Sequence, residues 1–277
     1  MASDAHATAA RITPAELLAR KGSEPIVCLT AYTYPIARLL DPHVDLLLVG
    51  DSVAMVLHGH PNTLGATMDM MIAHSQAVMR GAAHACVVVD MPAGSYEDSV
   101  ETAVASAERI MRETGCDAVK LEGGVAIAAQ IAAIVAAGIP VMGHIGLLPQ
   151  SVEKEGGYKI KGRTDANIAA LHADARAVEA AGAFSVVIEG TVEPVAADIS
   201  AMLSIPTIGI GASPKCDGQI LVIDDAIGLT VDRVPKFVKE YAHLRDAVAT
   251  AAENYARDVR NRSFPAPEHL FSPQDKA

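Results

Sequence analysis

Gly115-Cys-Asp-Ala-Val-Lys-Leu-Glu122-Gly123 and Gly182-Ala-Phe-Ser-Val-Val-Ile-Glu189-Gly190 align without a gap. In each, a glycine suited to stop a helix leads into a short apolar run that ends in Glu-Gly. A helix–glycine–strand unit that recurs is the building block of a parallel β/α fold. Outward from this pair (runs 118–121 and 184–188), similar runs lie at 25–30, 44–49, 85–89, 140–143, 206–210 and 220–223. All are apolar on both parities, as expected of strands covered on both faces. Eight such runs alternating with helices favour a closed (β/α)8 TIM barrel over an open doubly wound sheet.

The segments between the runs have helical spacing. Ser95-x-x-Asp98 predicts a capped start, with Val100, Ala103, Val104, Ala107, Ile110 and Met111 on one face and Gly115 past the end. Thr164 opens another helix, with Ile168, Leu171, Ala175 and Val178 facing inward and Gly182 at its stop. The last helix is expected from Pro235, with Phe237, Tyr241, Leu244, Val248, Ala251 and Tyr255 on its apolar face. Thr13 to Arg20 reads as a short helix closing the barrel's N-terminal end, and residues after about Arg260 as an irregular tail. One domain is expected over residues 1–277, with a barrel core of about residues 25–260.

Charge and composition narrow the function classes. The chain has 277 residues, and 22 basic against 33 acidic side chains give a net charge of −11. That balance, with 4% aromatic residues and no Trp, argues against nucleic acid and against anionic membranes. The 51% apolar fraction supplies ample core. Cys28, Cys86, Cys116 and Cys216 form no C-x-x-C pair and read as buried free thiols. Residues 123–152 carry no Asp, Glu, Lys or Arg, yet Gly138-Ile139-Pro140 splits them into a helix and a strand instead of one membrane span. With no apolar leader near the N-terminus, a cytoplasmic location is expected.

In such barrels functional groups gather where the strands end. The polar residues closing the runs are Thr30, Asp51 with Ser52, Asp90, Lys120 with Glu122, His144, Glu189, and Asp224 with Asp225. Any single acid among them reads as well as a helix cap or a solvated loop residue. Asp51, Asp90 and Glu122 on three different strands read together as a site, because carboxylates sharing one mouth repel unless a cation or raised pKa values relieve them. A hard divalent ion meets that need, and Mg2+ commonly takes one or two carboxylates with water or substrate completing its shell. Lys120 and Glu122 are two apart and face the same side. Lys120 is open to three readings: partner of a substrate carboxylate, Schiff-base nucleophile, or half of a structural pair. His144 is read as a donor to substrate in preference to a satisfied core residue. His58-Gly-His60 reads as a polar loop, Ile208-Gly-Ile-Gly-Ala212 as close backbone approach, and the long stretch 149–163 as a lid or a surface loop.

In order along the chain, several segments resemble the ketopantoate hydroxymethyltransferase family. They are Leu29-Thr-Ala-Tyr32, Leu48-Val-Gly-Asp-Ser52, Gly59-His60, Val119-Lys-Leu-Glu-Gly-Gly124, Gly143-His-Ile-Gly-Leu-Leu-Pro-Gln-Ser151 and Gly156-Gly-Tyr-Lys159. Glu189, Ile208-Gly-Ile-Gly-Ala212, Asp217-Gly-Gln219, Pro235-Lys-Phe-Val238, Phe264-Pro265 and Glu268-His269 continue the series. The resemblance implies a Mg2+-dependent (β/α)8 barrel that moves a one-carbon unit from 5,10-methylenetetrahydrofolate to 3-methyl-2-oxobutanoate. The products would be 2-dehydropantoate and tetrahydrofolate, early in pantothenate and coenzyme A biosynthesis. It further implies Asp51, Asp90 and Glu122 at the metal, Asp51, Ser52, Asp90 and Lys120 at the keto acid, Glu189 as proton acceptor, and a homo-oligomer, typically a decamer. Thr33, Gly65, Ala93, Ser213 and Asp224 depart from the family's usual Asp, Pro, Phe, Gly and His, away from the metal and base positions. The competing readings are a Mg2+-dependent 2-oxo acid lyase or mutase of the isocitrate lyase or phosphoenolpyruvate mutase type, a Schiff-base aldolase, and a non-catalytic binding protein on the same fold.

Overall fold

The computed structural model describes residues 11–231 and 233–272. These divide into two compact units, one ending at Ile223 and the other beginning at Asp224. In the first, eight parallel strands close into a barrel in chain order: β1 (Ile26–Thr30), β2 (Leu46–Val49), β3 (Cys86–Asp90), β4 (Ala118–Glu122), β5 (Val141–Gly146), β6 (Ser185–Glu189), β7 (Thr207–Ile210) and β8 (Gly218–Leu221). The fold is the (β/α)8 barrel that the alternation predicts. β8 begins two residues earlier than the apolar run suggests. Gly218 explains this, because a Cβ there would lie 2.4 Å from the Ile26 carbonyl oxygen. Only glycine lets β8 lie so close to β1 and complete the ring.

Alternate strand residues point into the barrel, and Ile26, Cys28, Leu46, Leu48, Cys86, Val88, Ala118, Met142 and Ile208 share one buried core. Ile12 and Leu17 join that core from the N-terminal segment. Leu17 lies on the helix Pro14–Leu18, whose Thr13 and Glu16 form a reciprocal capping box. The short N-terminal helix therefore closes the barrel floor, as expected. Full burial of a leucine of this kind contributes about 1.5–3 kcal/mol.

The helix Val100–Thr114 buries Ala103, Ala107 and Ile110 and ends at Gly115, whose φ of 70° is left-handed. Its N-cap is Ser99, not the expected Ser95: the Ser99 hydroxyl accepts the Thr102 N–H at 3.0 Å. Ser95 instead donates to the Pro92 carbonyl and closes a turn. Thr164 caps the helix Asp165–Ala180 as expected, with Leu171, Ala175 and Val178 buried. Residues 123–152 split into the helix Ala128–Ala136 and β5, as the Gly-Ile-Pro punctuation requires. All four cysteines are free and buried. No helix among the described residues is long and apolar enough to cross a membrane.

In the second unit the expectation for the last helix fails. The helix is Leu244–Arg260 and begins nine residues after Pro235. After one turn, in which Val238 N–H meets the Pro235 carbonyl, the backbone finds other partners. Tyr241 N–H bonds Ala226 O at 2.7 Å, and Leu244 and Arg245 bond Ile227 O and Gly228 O. Those bonds replace the i→i−4 ladder that would have carried the helix back to Pro235. Tyr241, Val248 and Tyr255 are exposed, so the proposed apolar face is not buried. Beyond Arg260 the described chain is irregular apart from the turn Pro267–His269.

Candidate active site

Strand register decides which acids meet. Asp90 on β3 pairs with Lys120 on β4, and Glu122 on β4 pairs with His144 on β5. All four side chains point inward, on the C-terminal side of the apolar core. Lys120 Nζ donates to Asp90 Oδ1 at 2.7 Å, with both side chains only 4% exposed. The next inward position after Leu48, one residue past the end of β2, is Gly50. A Cβ there would meet Ser52 Oγ at 2.8 Å and Asp90 Oδ2 at 3.5 Å. Without it, the Asp51 N–H reaches Asp90 Oδ2 at 3.0 Å. Asp51 Oδ2 accepts from the Gln150 side-chain amide at 2.9 Å, while Oδ1 accepts no hydrogen bond among the described residues.

A second line of contacts continues from Gln150. Its backbone N–H donates to Glu122 Oε2 at 3.0 Å. Glu122 Oε1 lies 3.4 Å from His144 Nδ1, and His144 Nε2 lies 3.3 Å from Glu189 Oε2. Among the described residues neither ring nitrogen has a hydrogen-bond partner of good geometry, so these are charge contacts, from a buried ring to one buried and one half-buried acid. Glu189, at the end of β6, is 17% exposed and is the acid most open to the mouth; His144 is 3% exposed. Ser52 Oγ lies 2.7 Å from the Tyr32 hydroxyl.

The electrostatics follow from burial and crowding. Burial first, then the charges of Asp90 and Glu122, push Asp51 well above the usual carboxylate range against Lys120 and the Gln150 amide. Burial also opposes the Lys120 charge, but Asp90, Glu122 and Asp51 together hold its ammonium above the usual lysine value. Such a lysine is a fixed cation, a poor match for the Schiff-base reading, which needs a free amine. Burial pushes Glu122 up, yet His144 and Lys120 more than offset it and hold the group below its ordinary value. Burial and Lys120 oppose an imidazolium at His144, but Glu122 and Glu189 prevail and its pKa rises to about 9.

Asp51, Asp90, Lys120, Glu122, His144 and Glu189 thus form one connected cluster, with Ser52 beside it. Thr30 is buried, and its hydroxyl accepts the Ile223 N–H at 2.9 Å, a structural tie. Asp224 and Asp225 end no strand; they lie in the short helix Ile223–Ala226, because β8 stops at Leu221. His58 pairs with His74, Nε2 to Nε2 at 2.9 Å, and not with His60. At Gly209 a Cβ would meet the Gln219 amide at 2.9 Å, so this glycine serves close packing. The long connection after β5 is tied to the loops after β2 and β6: Asn62 donates to Glu153 at 3.0 Å and Lys161 N–H to Gly190 O at 2.8 Å. At Gly65, one of the departures, a Cβ would lie 2.6 Å from the His60 ring. Ser213 is buried and donates to Glu193 at 2.8 Å.

Sequence reasoning missed two residues. Gln150 bonds Asp51, Glu122 and the Met91 carbonyl, and the buried Tyr96 hydroxyl donates to Gln150 Oε1 at 2.6 Å. Neither ends a strand, and no charge or spacing marks them.

A sequence model of the ketopantoate hydroxymethyltransferase family matches residues 11–267. The chain is 75% identical over 272 residues to the 3-methyl-2-oxobutanoate hydroxymethyltransferase of Mesorhizobium japonicum, covering 98% of this chain and 95% of that protein. It is 59% identical to the enzyme of the same name from Brucella suis, covering 95% and 96%. Among solved structures it is similar to phosphonopyruvate hydrolase in complex with oxalate and Mg2+, with a TM-score of 0.61, 13% identity and coverage of 94% and 92%. It is also similar to 2,3-dimethylmalate lyase, with a TM-score of 0.58, 19% identity and coverage of 94% and 87%. These distant likenesses carry the barrel alone. The near full-length family match and the identities above it lead to one conclusion: the chain belongs to the ketopantoate hydroxymethyltransferase family.

Proposed function

We propose that the cluster transfers a hydroxymethyl group from 5,10-methylenetetrahydrofolate to 3-methyl-2-oxobutanoate, giving 2-dehydropantoate, with Mg2+ as cofactor. The observation that carries this reading is a buried excess of acid. Asp51, Asp90 and Glu122 are each less than a tenth exposed and share the cation Lys120, and among the described residues Asp51 keeps one carboxylate oxygen without a hydrogen bond. A hard cation fits that donor set, with Asp51 and Asp90 as the carboxylates to hold it and Glu122 reached directly or through water. No three acid, thiol or imidazole groups among the described residues cage an ion by themselves, so water or the keto acid's oxygens would complete the shell. Held by these residues, Mg2+ would supply positive charge to polarise the keto group, which would make the neighbouring C–H more acidic.

The chain's own groups do the rest. Lys120, held as an ammonium, and the Ser52 hydroxyl bind and orient the 2-oxo acid. Glu189, at the open side, takes the proton from C3. His144 lies between Glu122 and Glu189 and provides a donor to negative charge that builds on the substrate. The carbon freed of its proton bonds to the one-carbon unit of methylenetetrahydrofolate; both of that carbon's bonds to folate nitrogen break, one water supplies the new hydroxyl, and tetrahydrofolate leaves, with no covalent bond to the enzyme. The family resemblance adds a homo-oligomer, typically a decamer, which sedimentation velocity would test. The reading is tested by turnover of 3-methyl-2-oxobutanoate with folate present or omitted, and with Mg2+ or EDTA. Product formation is expected only with both folate and metal. C–C cleavage without folate would place the chain with the lyases, and binding without turnover would make it a binding protein.

A further inference from the structure

Gln150 has every polar group of its side chain committed. One amide hydrogen goes to Asp51 Oδ2 at 2.9 Å, the other to the Met91 carbonyl at 3.0 Å, and Oε1 accepts the Tyr96 hydroxyl at 2.6 Å. Its backbone N–H holds Glu122 Oε2. Tyr96 is itself fixed: the Glu122 N–H donates to its oxygen at 3.2 Å, and its hydroxyl hydrogen has Gln150 Oε1 at 2.6 Å as the nearer acceptor and the Glu122 carbonyl at 3.2 Å as the farther. One uncharged residue therefore grips two carboxylates, one just after β2 and one at the end of β4, and it stands at the root of the long connection after β5.

We propose that Gln150 is the positioning residue of the cation site: with Tyr96 holding its amide, it ties one oxygen of Asp51 and one of Glu122 and so fixes how both carboxylates are turned. This rests on the reading of Asp51 and Glu122 as groups that hold the divalent ion. A neutral donor suits the place. A lysine there would compete with the cation, while an acid would add a fifth carboxyl group to a crowded mouth. An amide adds neither. Groups that orient metal-holding side chains in this way are worth about 10–100-fold in metal affinity.

The test is Mn2+ binding to the folded protein, followed by the electron paramagnetic resonance of free Mn2+ and displaced by Mg2+. The proteins compared are wild type, Gln150→Leu, Tyr96→Phe and the double variant. Gln150→Leu is expected to raise the dissociation constant about tenfold or more, and Tyr96→Phe to raise it less. The double variant should be no weaker than Gln150→Leu, because Tyr96 acts through Gln150. The loss in Gln150→Leu should fall more on the metal concentration needed for half-maximal activity than on kcat, a split that a general packing defect would not produce. Unchanged Mn2+ affinity in the folded single variants would overturn the proposal, as would additive losses in the double variant. If Gln150→Leu does not fold, Tyr96→Phe decides alone: wild-type affinity there refutes the linkage. A wild-type protein that binds neither Mn2+ nor Mg2+ refutes the metal reading itself, a separate outcome.

Discussion

Replacing Lys120 by methionine removes the one ammonium that three buried carboxylates share, while nearly keeping the side chain's volume. Lys120 and Asp90 are both 4% exposed and 2.7 Å apart, so the ammonium is not replaced by bulk water when it is lost. Breaking a buried pair by removing one partner costs about 3–5 kcal/mol. A second route limits that cost: a carboxyl of reference pKa about 3.9 takes up a proton at pH 7 for about 4 kcal/mol, at about 1.4 kcal/mol per pH unit. The two figures agree, and only the second depends on pH. The expected loss of stability is about 3–4 kcal/mol at pH 7, shrinking to about 2 kcal/mol at about pH 5.5, where protonation is cheaper. Urea unfolding of wild type and Lys120→Met at both pH values, in EDTA, measures it. A loss below about 1 kcal/mol, equal at the two pH values, would refute the idea that Lys120 compensates buried negative charge.

Three further outcomes follow from the structure. In Gly50→Ala the new methyl meets the Ser52 hydroxyl at 2.8 Å, a movable group, so the unfolding midpoint should change little while the KM for the keto acid rises; unchanged KM would show that Ser52 does not orient substrate. Asp217 accepts bonds from Lys21, Gly22 and Thr207, and although burial pushes its pKa up, these donors hold it below the usual value. A depressed carboxyl stabilises the fold above its unfolded pKa, so Asp217→Asn should cost about 1–3 kcal/mol at neutral pH, with the gap closing as pH falls below about 4; a gap independent of pH contradicts this. Leu17→Ala should destabilise by roughly 2–5 kcal/mol in urea unfolding if the N-terminal helix seals the barrel floor, and a loss within a few tenths would show that the helix is only loosely attached.

The barrel and most of the cluster were legible in the sequence because strand ends in this fold carry function wherever they fall. The glycine–strand–Glu-Gly echo located β4 and β6 together with Glu122 and Glu189, and Gly115 and Gly182 have the positive φ that the echo implied. What stayed hidden depends on contacts between distant parts of the chain. Pro235 is a sound helix start by local rules, yet Ala226, Ile227 and Gly228 take the backbone bonds instead. Ser95 and Ser99 are equally good caps by type, and only the turn at Pro92 separates them. Gln150 and Tyr96 act through hydrogen bonds across 99 and 54 residues respectively, to Asp51 and to Gln150, and an uncharged side chain off the strand ends leaves no periodic or electrostatic trace.

The most direct test of the central claim is solvent exchange of the C3 proton of 3-methyl-2-oxobutanoate in D2O, followed by NMR without folate. Wild type with Mg2+ should exchange that proton readily, and both EDTA and Glu189→Gln should abolish exchange while the variant still binds the keto acid. Exchange that continues undiminished in chelator and in the variant would contradict the account.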